Sequence, residues 1–159
     1  MRIAAYQFAV SGNIIENFKE IENAIYLAKR KNVQLLIFPE CSLTGYPSRD
    51  IANSSCIDFN LVHAMCDKLQ IIADENEICF IVGTIYKEEE IYNRAMLFQP
   101  DSQIKFYDKR ALWDGIRIIS RKVVWMEYLK WKGYYLVSEF VLKSDFLNSF
   151  ENYTNAKPI

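Results

Sequence analysis

Apolar residues recur along the first hundred positions with two different periods. Ile3 to Val10 is a run consistent with a buried strand. Asn13 is placed to cap a helix, because Ile14, Phe18, Ile21, Ile25 and Ala28 follow at three- and four-residue spacing. "VQLLIF" (Val33 to Phe38) predicts a second strand, stopped by Pro39, which has no amide proton to give a ladder. The loop "PECSLTGYPSRDIANSS" comes next, rich in Gly, Pro and Ser. Leu61, Met65, Leu69 and Ile72 outline a second helix, "ICFIVGTIY" a third strand, "YNRAMLFQP" a fourth, and "QIKFYDK" a short extended piece. The order βαβαββ predicts a layered α/β fold whose strands are buried by helices.

After Trp113 the pattern is lost. Residues 114–159 carry nine aromatics, against fourteen in 1–113, yet neither a helical nor an alternating period persists. "VVWMEYLKWKGYYLVSEF" is compatible with a helix-turn-strand, and periodicity alone does not decide it. No internal repeat or low-complexity tract offers a simpler account.

Composition narrows the function classes. Nineteen basic and twenty acidic residues give a net charge of −1, and the longest block of one sign is Glu88 to Glu90, so a nucleic-acid surface is not expected. No apolar run approaches the roughly 18 to 20 residues of a membrane span, and the chain opens as a strand rather than an export signal. The expectation is a cytoplasmic protein with no membrane partner. Cys41, Cys56, Cys66 and Cys79 lack C-x-x-C spacing and His63 is the only histidine, which suggests neither a metal site nor a disulfide framework. No cofactor is expected.

Three features of the ordered part carry the chemistry. Glu40 lies just past the carboxyl end of the "LLIF" strand, where open α/β sheets display reactive groups; Lys109 lies in "FYDKRALW" after another strand; and "YNRAMLF" precedes it. Singly, each has an ordinary explanation, a loop-capping carboxylate or a solvated lysine. Together they resemble the nitrilase, or carbon-nitrogen hydrolase, superfamily, in patterns like "RIAAYQF", "LLIFPECSLTGY" and "YNRAMLFQPDSQIKFYDKRALW". The resemblance covers Met1 to Trp113. It implies the amino-terminal part of an α-β-β-α sandwich, incomplete here, and a reaction that splits an amide or nitrile carbon-nitrogen bond through a thioester to cysteine. By resemblance Glu40 is the general base and Lys109 the cation that stabilises the oxyanion, while the family's cysteine comes from a later strand, so Cys41 does not inherit that role. A thiol is only slightly ionised at pH 7, so both aids make chemical sense.

Beyond the lysine the resemblance implies segments like "LWGWD" and "GIRICFE", the latter carrying the nucleophile. The chain instead reads "LWDGIRIISRKVV", and no cysteine follows. Read one base earlier, the codons of Phe140 and Val141 allow TGT, a cysteine. Across Val137 to Lys157, synonymous choices alone permit "IRICFEVRFPEFFRELYKRK", and upstream they permit "GWDKDNF" and "GGMDGIFEVEGILLG". Trp-Gly-Trp written TGG-GGA-TGG becomes Trp113-Asp114-Gly115 on losing one guanine. Residues 1–113 are therefore expected to be a truncated carbon-nitrogen hydrolase domain and 114–159 an out-of-frame tail, poorly packed around Trp125 and Trp131. The implied ancestral substrate is a small amide, and activity is not expected without the cysteine. Two other readings remain: a non-catalytic α/β interaction module, and a glutamine amidohydrolase-type domain as in NAD synthetases, which "LTGYPSRD" also resembles. Oligomers are common in the family but are not expected here.

Overall fold

The computed structural model describes residues 2–109 and the backbone of two short strands further on, Leu129–Trp131 and Tyr134–Leu136. Elements run β1 (Ile3–Ala5), α1 (Ile14–Arg30), β2 (Leu35–Ile37), a single 3-10 turn (Ser54–Cys56), α2 (Phe59–Asn76), β3 (Cys79–Lys87), β4 (Ile91–Phe98), β5 (Lys105–Asp108), then β6 (Leu129–Trp131) and β7 (Tyr134–Leu136). Over residues 3–109 the expected βαβαββ order is found with one strand more, because the short extended piece "QIKFYDK" supplies β5, giving βαβαβββ.

Local chemistry sets the helix ends. Asn13 Oδ1 accepts from the amides of Ile15 and Glu16 at 3.0 and 3.2 Å, and Lys29 and Arg30 occupy the last turn, each complementing the helix dipole. Asp58 caps α2 through the Leu61 amide at 3.1 Å, and Glu77 closes it in the left-handed region at φ 49°. Ile14, Phe18, Ile21, Ile25 and Ala28 are all buried.

One five-stranded sheet has the order β1-β2-β3-β4-β5, parallel from β1 to β3 and antiparallel from β3 to β5. Strand alternation gives it two faces. Leu36, Phe80, Val82, Met96 and Phe98 join α1 and α2 in the main core. Leu35, Ile81, Ala95 and Leu97 form a second, smaller cluster with Ile37 and Cys79. β1 is shorter than expected: only Ile3–Ala5 pairs in full with β2, and Tyr6 adds one bond to Ile37 O at 2.9 Å. The strand lies at the sheet's margin, so the residues beyond it have no second ladder to hold them.

Within "VVWMEYLKWKGYYLVSEF", Leu129–Trp131 pairs antiparallel with Tyr134–Leu136. The helix-turn-strand option is corrected over Leu129–Trp131, which is a strand, in keeping with the extended backbone that Trp131, Tyr134 and Tyr135 favour. Trp125, the rest of 110–128, residues 132–133 and all of 137–159 lie outside the described residues, as does the expected packing of the tail. Among the described residues no helix is long and apolar enough to cross a membrane.

Candidate active site

Glu40 sits on a turn built against β3. Pro39 ends the run of β2, and the chain reverses through Ser42 N to Pro39 O at 3.2 Å and Gly45 N to Cys41 O at 2.8 Å. Leu43 N and Ser42 Oγ both donate to Gly83 O, at 3.1 and 3.3 Å, sewing the turn onto the strand. Gly83 has to be glycine for this approach: a Cβ there would lie 2.6 Å from Pro39 O, 2.7 Å from Cys41 N and 2.8 Å from Glu40 Cα. These contacts are backbone atoms, so no side-chain rotation relieves them. Cys41 adopts φ 53°, a left-handed conformation uncommon for a residue with a Cβ, and the hydrogen bonds around it hold it there.

Lys109 reaches the same place from the other edge of the sheet. β5 pairs with β4 in the register Arg94 to Asp108, and the Lys109 amide continues that ladder by donating to Asn93 O at 2.8 Å. Lys109 Nζ then donates to Glu40 Oε1 at 2.9 Å, across 69 positions of sequence. The side chains are 21% and 10% exposed, so the pair is largely withdrawn from water, where each charge depends on the other. Asn93 Nδ2 donates to the same oxygen, Glu40 Oε1. Gly83, Arg94, Ala95 and Tyr107 complete the lining of the pocket around these groups.

A second ionic cluster supports the lysine strand. Arg94, buried on the opposite face of β4, makes a two-pronged contact with Asp108 at 2.7 and 3.0 Å and a third bond to Glu88 at 2.8 Å. Its guanidinium lies 3.6 Å from the centroid of Phe106 and 4.7 Å from that of Tyr86. Burial opposes its charge, and the hydrogen bonds it donates to Asp108 and Glu88 outweigh that, so the arginine's pKa is raised. Asp108 directly precedes Lys109, so fixing it fixes where the lysine starts.

Cys41 is the described thiol next to Glu40, and it is unsuited to attack. It is fully buried, and burial followed by the Glu40 carboxylate pushes its pKa up, with Lys109 opposing. Its Sγ donates instead to Asn93 Oδ1 at 3.8 Å. The structure thus brings Glu40 and Lys109 together and adds Asn93 and Gly83, which sequence reasoning did not single out. The sequence did hold a signal: Asn93 and Arg94 are adjacent polar residues inside an otherwise apolar strand, each pointing to a different face, and buried polar groups need partners. Among the described residues no group of acidic, histidine or cysteine side chains is arranged to hold a metal ion.

The carbon-nitrogen hydrolase family pattern matches residues 2–139. The chain belongs to the carbon-nitrogen hydrolase family. The match runs past Trp113. Among relatives, the glutamine-dependent NAD(+) synthetase of Acinetobacter baylyi is 31% identical over 114 residues, covering 70% of this chain and 20% of the relative. The enzyme of the same name from Synechocystis sp. is 28% identical over 111 residues, covering 64% and 19%. An amidase from Nesterenkonia sp. superposes with a TM-score of 0.62 at 25% identity, over 71% of this chain and 44% of the amidase. This carbon-nitrogen hydrolase chain therefore spans about a fifth of the length of those curated relatives and under half of the solved amidase. Its sheet and two helices are a partial nitrilase-like α/β fold, corresponding to part of the α-β-β-α sandwich.

Proposed function

We propose that this chain carries the general base and the oxyanion-stabilising cation of an amide-hydrolysing site, Glu40 and Lys109, without the nucleophilic cysteine, and that it is inactive in this form. The observation that carries the reading is the 2.9 Å contact of Lys109 Nζ with Glu40 Oε1 at the mouth of the sheet. A carboxylate there takes the proton of an attacking thiol, and a fixed ammonium beside it stabilises the negative charge that develops on the carbonyl oxygen. All four cysteines precede Lys109, and Cys41, the one beside the base, is buried and committed to Asn93. The remaining groups hold a carbonyl but form no thioester.

The cysteine belongs, on this proposal, to the shifted reading of residues 114–159, where Phe140 and Val141 straddle it. The family match reaches residue 139, so the proposal and the match divide over 114–139, and the codons separate them. The ancestral substrate is a small amide. A glutamine side-chain amide is the second reading, favoured by the two glutamine-dependent NAD(+) synthetases among the relatives. A non-catalytic interaction module is the outcome if the tail is selected protein.

The test restores one guanine at the Trp113 codon boundary and assays the lengthened product and the 159-residue chain for ammonia release from simple aliphatic amides and from glutamine. Activity in the restored product only, abolished by Glu40→Gln, supports the proposal, and preference between the two substrates selects the reading. Equal activity in both chains, or none in a restored product that folds, overturns it.

A further inference from the structure

The two oxygens of Glu40 are not equivalent. Lys109 Nζ and Asn93 Nδ2 both donate to Oε1, which uses the two lone pairs of a carboxylate oxygen, and among the described residues no donor reaches Oε2. We propose that Asn93 is a positioning residue which, with Lys109, saturates Oε1 and thereby reserves Oε2 as the atom that receives the proton of the attacking group. The inference rests on the reading of Glu40 as general base and names the working atom. In that step the S–H bond of an incoming thiol breaks, an O–H bond forms on Oε2, and the electron pair stays on sulfur for attack at the carbonyl.

Three contacts make Asn93 suited to this. Its amide orientation is set by chemistry: Cys41 Sγ donates to Oδ1 at 3.8 Å, which turns Nδ2 toward Glu40. The reverse orientation would set Oδ1 against a carboxylate oxygen, two acceptors with no proton between them. Asn93 is also 4% exposed, so the side chain has no water to substitute for a lost partner. Its backbone carbonyl accepts the Lys109 amide at 2.8 Å. One residue of β4 therefore fixes the carboxylate through its side chain and the root of the lysine through its backbone. The buried thiol of Cys41 thereby keeps the asparagine the right way round, and attack is left to a group that comes from outside the described residues.

The test uses the 159-residue chain labelled with 15N in asparagine side chains, so that it does not depend on amide hydrolysis. Asn93→Asp identifies the Asn93 pair by its disappearance. We expect one Asn93 amide proton downfield of the ordinary range because its acceptor is charged, and a return toward that range in Glu40→Gln. Cys41→Ala should broaden or split the pair, and Cys41→Ser, which keeps a donor, should restore a single signal. Asn17, whose Nδ2 donates to Ser11 O at 2.7 Å and Leu43 O at 3.1 Å, reports that the fold is intact in each variant. An Asn93 pair in the ordinary range of the parent chain, or one that Glu40→Gln leaves unmoved, overturns the proposal. If a Cys41 variant loses the Asn17 signal, the comparison of parent with the isosteric Glu40→Gln decides alone. Failure of the restored product to hydrolyse amides would overturn the role of Glu40 and leave this hydrogen bond standing, so the two failures are distinguishable.

Discussion

The two faces of the central sheet are made differently although the same strands supply both. Leu35 and Leu36 are neighbours on β2, 0% and 2% exposed, and they point to opposite sides. Leu36 enters a core that both helices join, with Ile21, Ile25, Leu69, Phe80 and Phe98 in it. Among the described residues Leu35 joins Ile81, Ala95 and Leu97, with Ile37 and Cys79 at the margin, and no residue of either helix belongs to that group. The pocket lies at the end of this second face, since Asn93 shares its side of β4 with Ala95 and Leu97. Among the described residues the larger core thus lies on one side of the sheet and the Glu40–Lys109 pair on the other. The proposed roles of this carboxylate and ammonium need space beside them, which a face closed by two amphipathic helices does not leave.

The sharpest way to break this comparison is to remove the same side chain from each face. Leu36→Ala should lower unfolding free energy by about 4 kcal/mol and Leu35→Ala by about 2 kcal/mol, because the cost rises with the cavity that the surroundings fail to close. Urea midpoints of the two variants measure it. Equal losses would mean that both faces are covered alike.

The next effect belongs to the ionic cluster behind the site. Arg94 is buried between Asp108 and Glu88, whose side chains are 20% and 49% exposed, so Arg94→Met should cost about 3 kcal/mol by leaving Asp108 unpaired in a partly dry place. A loss below about 1 kcal/mol, the range of exposed ion pairs, would show that water reaches the cluster freely.

The smallest effect at neutral pH is on the thiols, two of which, Cys41 and Cys66, are buried in the main core. Cys66 lies in the helix-covered core, and burial, with the nearby Asp67 carboxylate adding to it, pushes its pKa from 9.0 up to about 12. Cys41, beneath the pocket, is shifted in the same direction. Between about pH 9 and 12 the unfolded chain has released the Cys66 proton and the folded chain has kept it. Stability from this group is therefore complete below pH 9 and falls as pH rises through that window. Mass-resolved alkylation should label exposed Cys56 first and reach Cys41 and Cys66 only on unfolding. Labelling of Cys66 at the rate of Cys56 would contradict the packing of the helical face.

The sequence made one of these two regions easy to read. Ile14, Phe18, Ile21, Ile25 and Ala28 announce α1 because a helix must put one stripe into the core, and Asn13 announces its start. Glu40 and Lys109 were legible through motif likeness, since nothing in spacing alone says that residues 69 positions apart meet. Asn93 was harder: its partners come from two other segments, Lys109 brought by the register of β4 with β5, and Glu40 and Cys41 by a turn bonded to β3, the neighbour of β4 on its other side. Gly83 looks like any strand glycine until the turn that presses on it is known. β1 was overextended because an apolar run shows where a strand is able to form and not where its neighbour stops.

The measurement that tests the central claim most directly is the nucleotide sequence from the Trp113 codon to the Lys157 codon. The account predicts a run of guanines broken by one missing base at Trp113, TGT across the junction of Phe140 and Val141 in the earlier frame, and that frame remaining open well beyond. It would thereby place a cysteine after Lys109 to complete the pair found here at 2.9 Å. CGT at that junction, or a stop soon after it in the earlier frame, would contradict the account and make residues 114–159 a selected part of this carbon-nitrogen hydrolase chain.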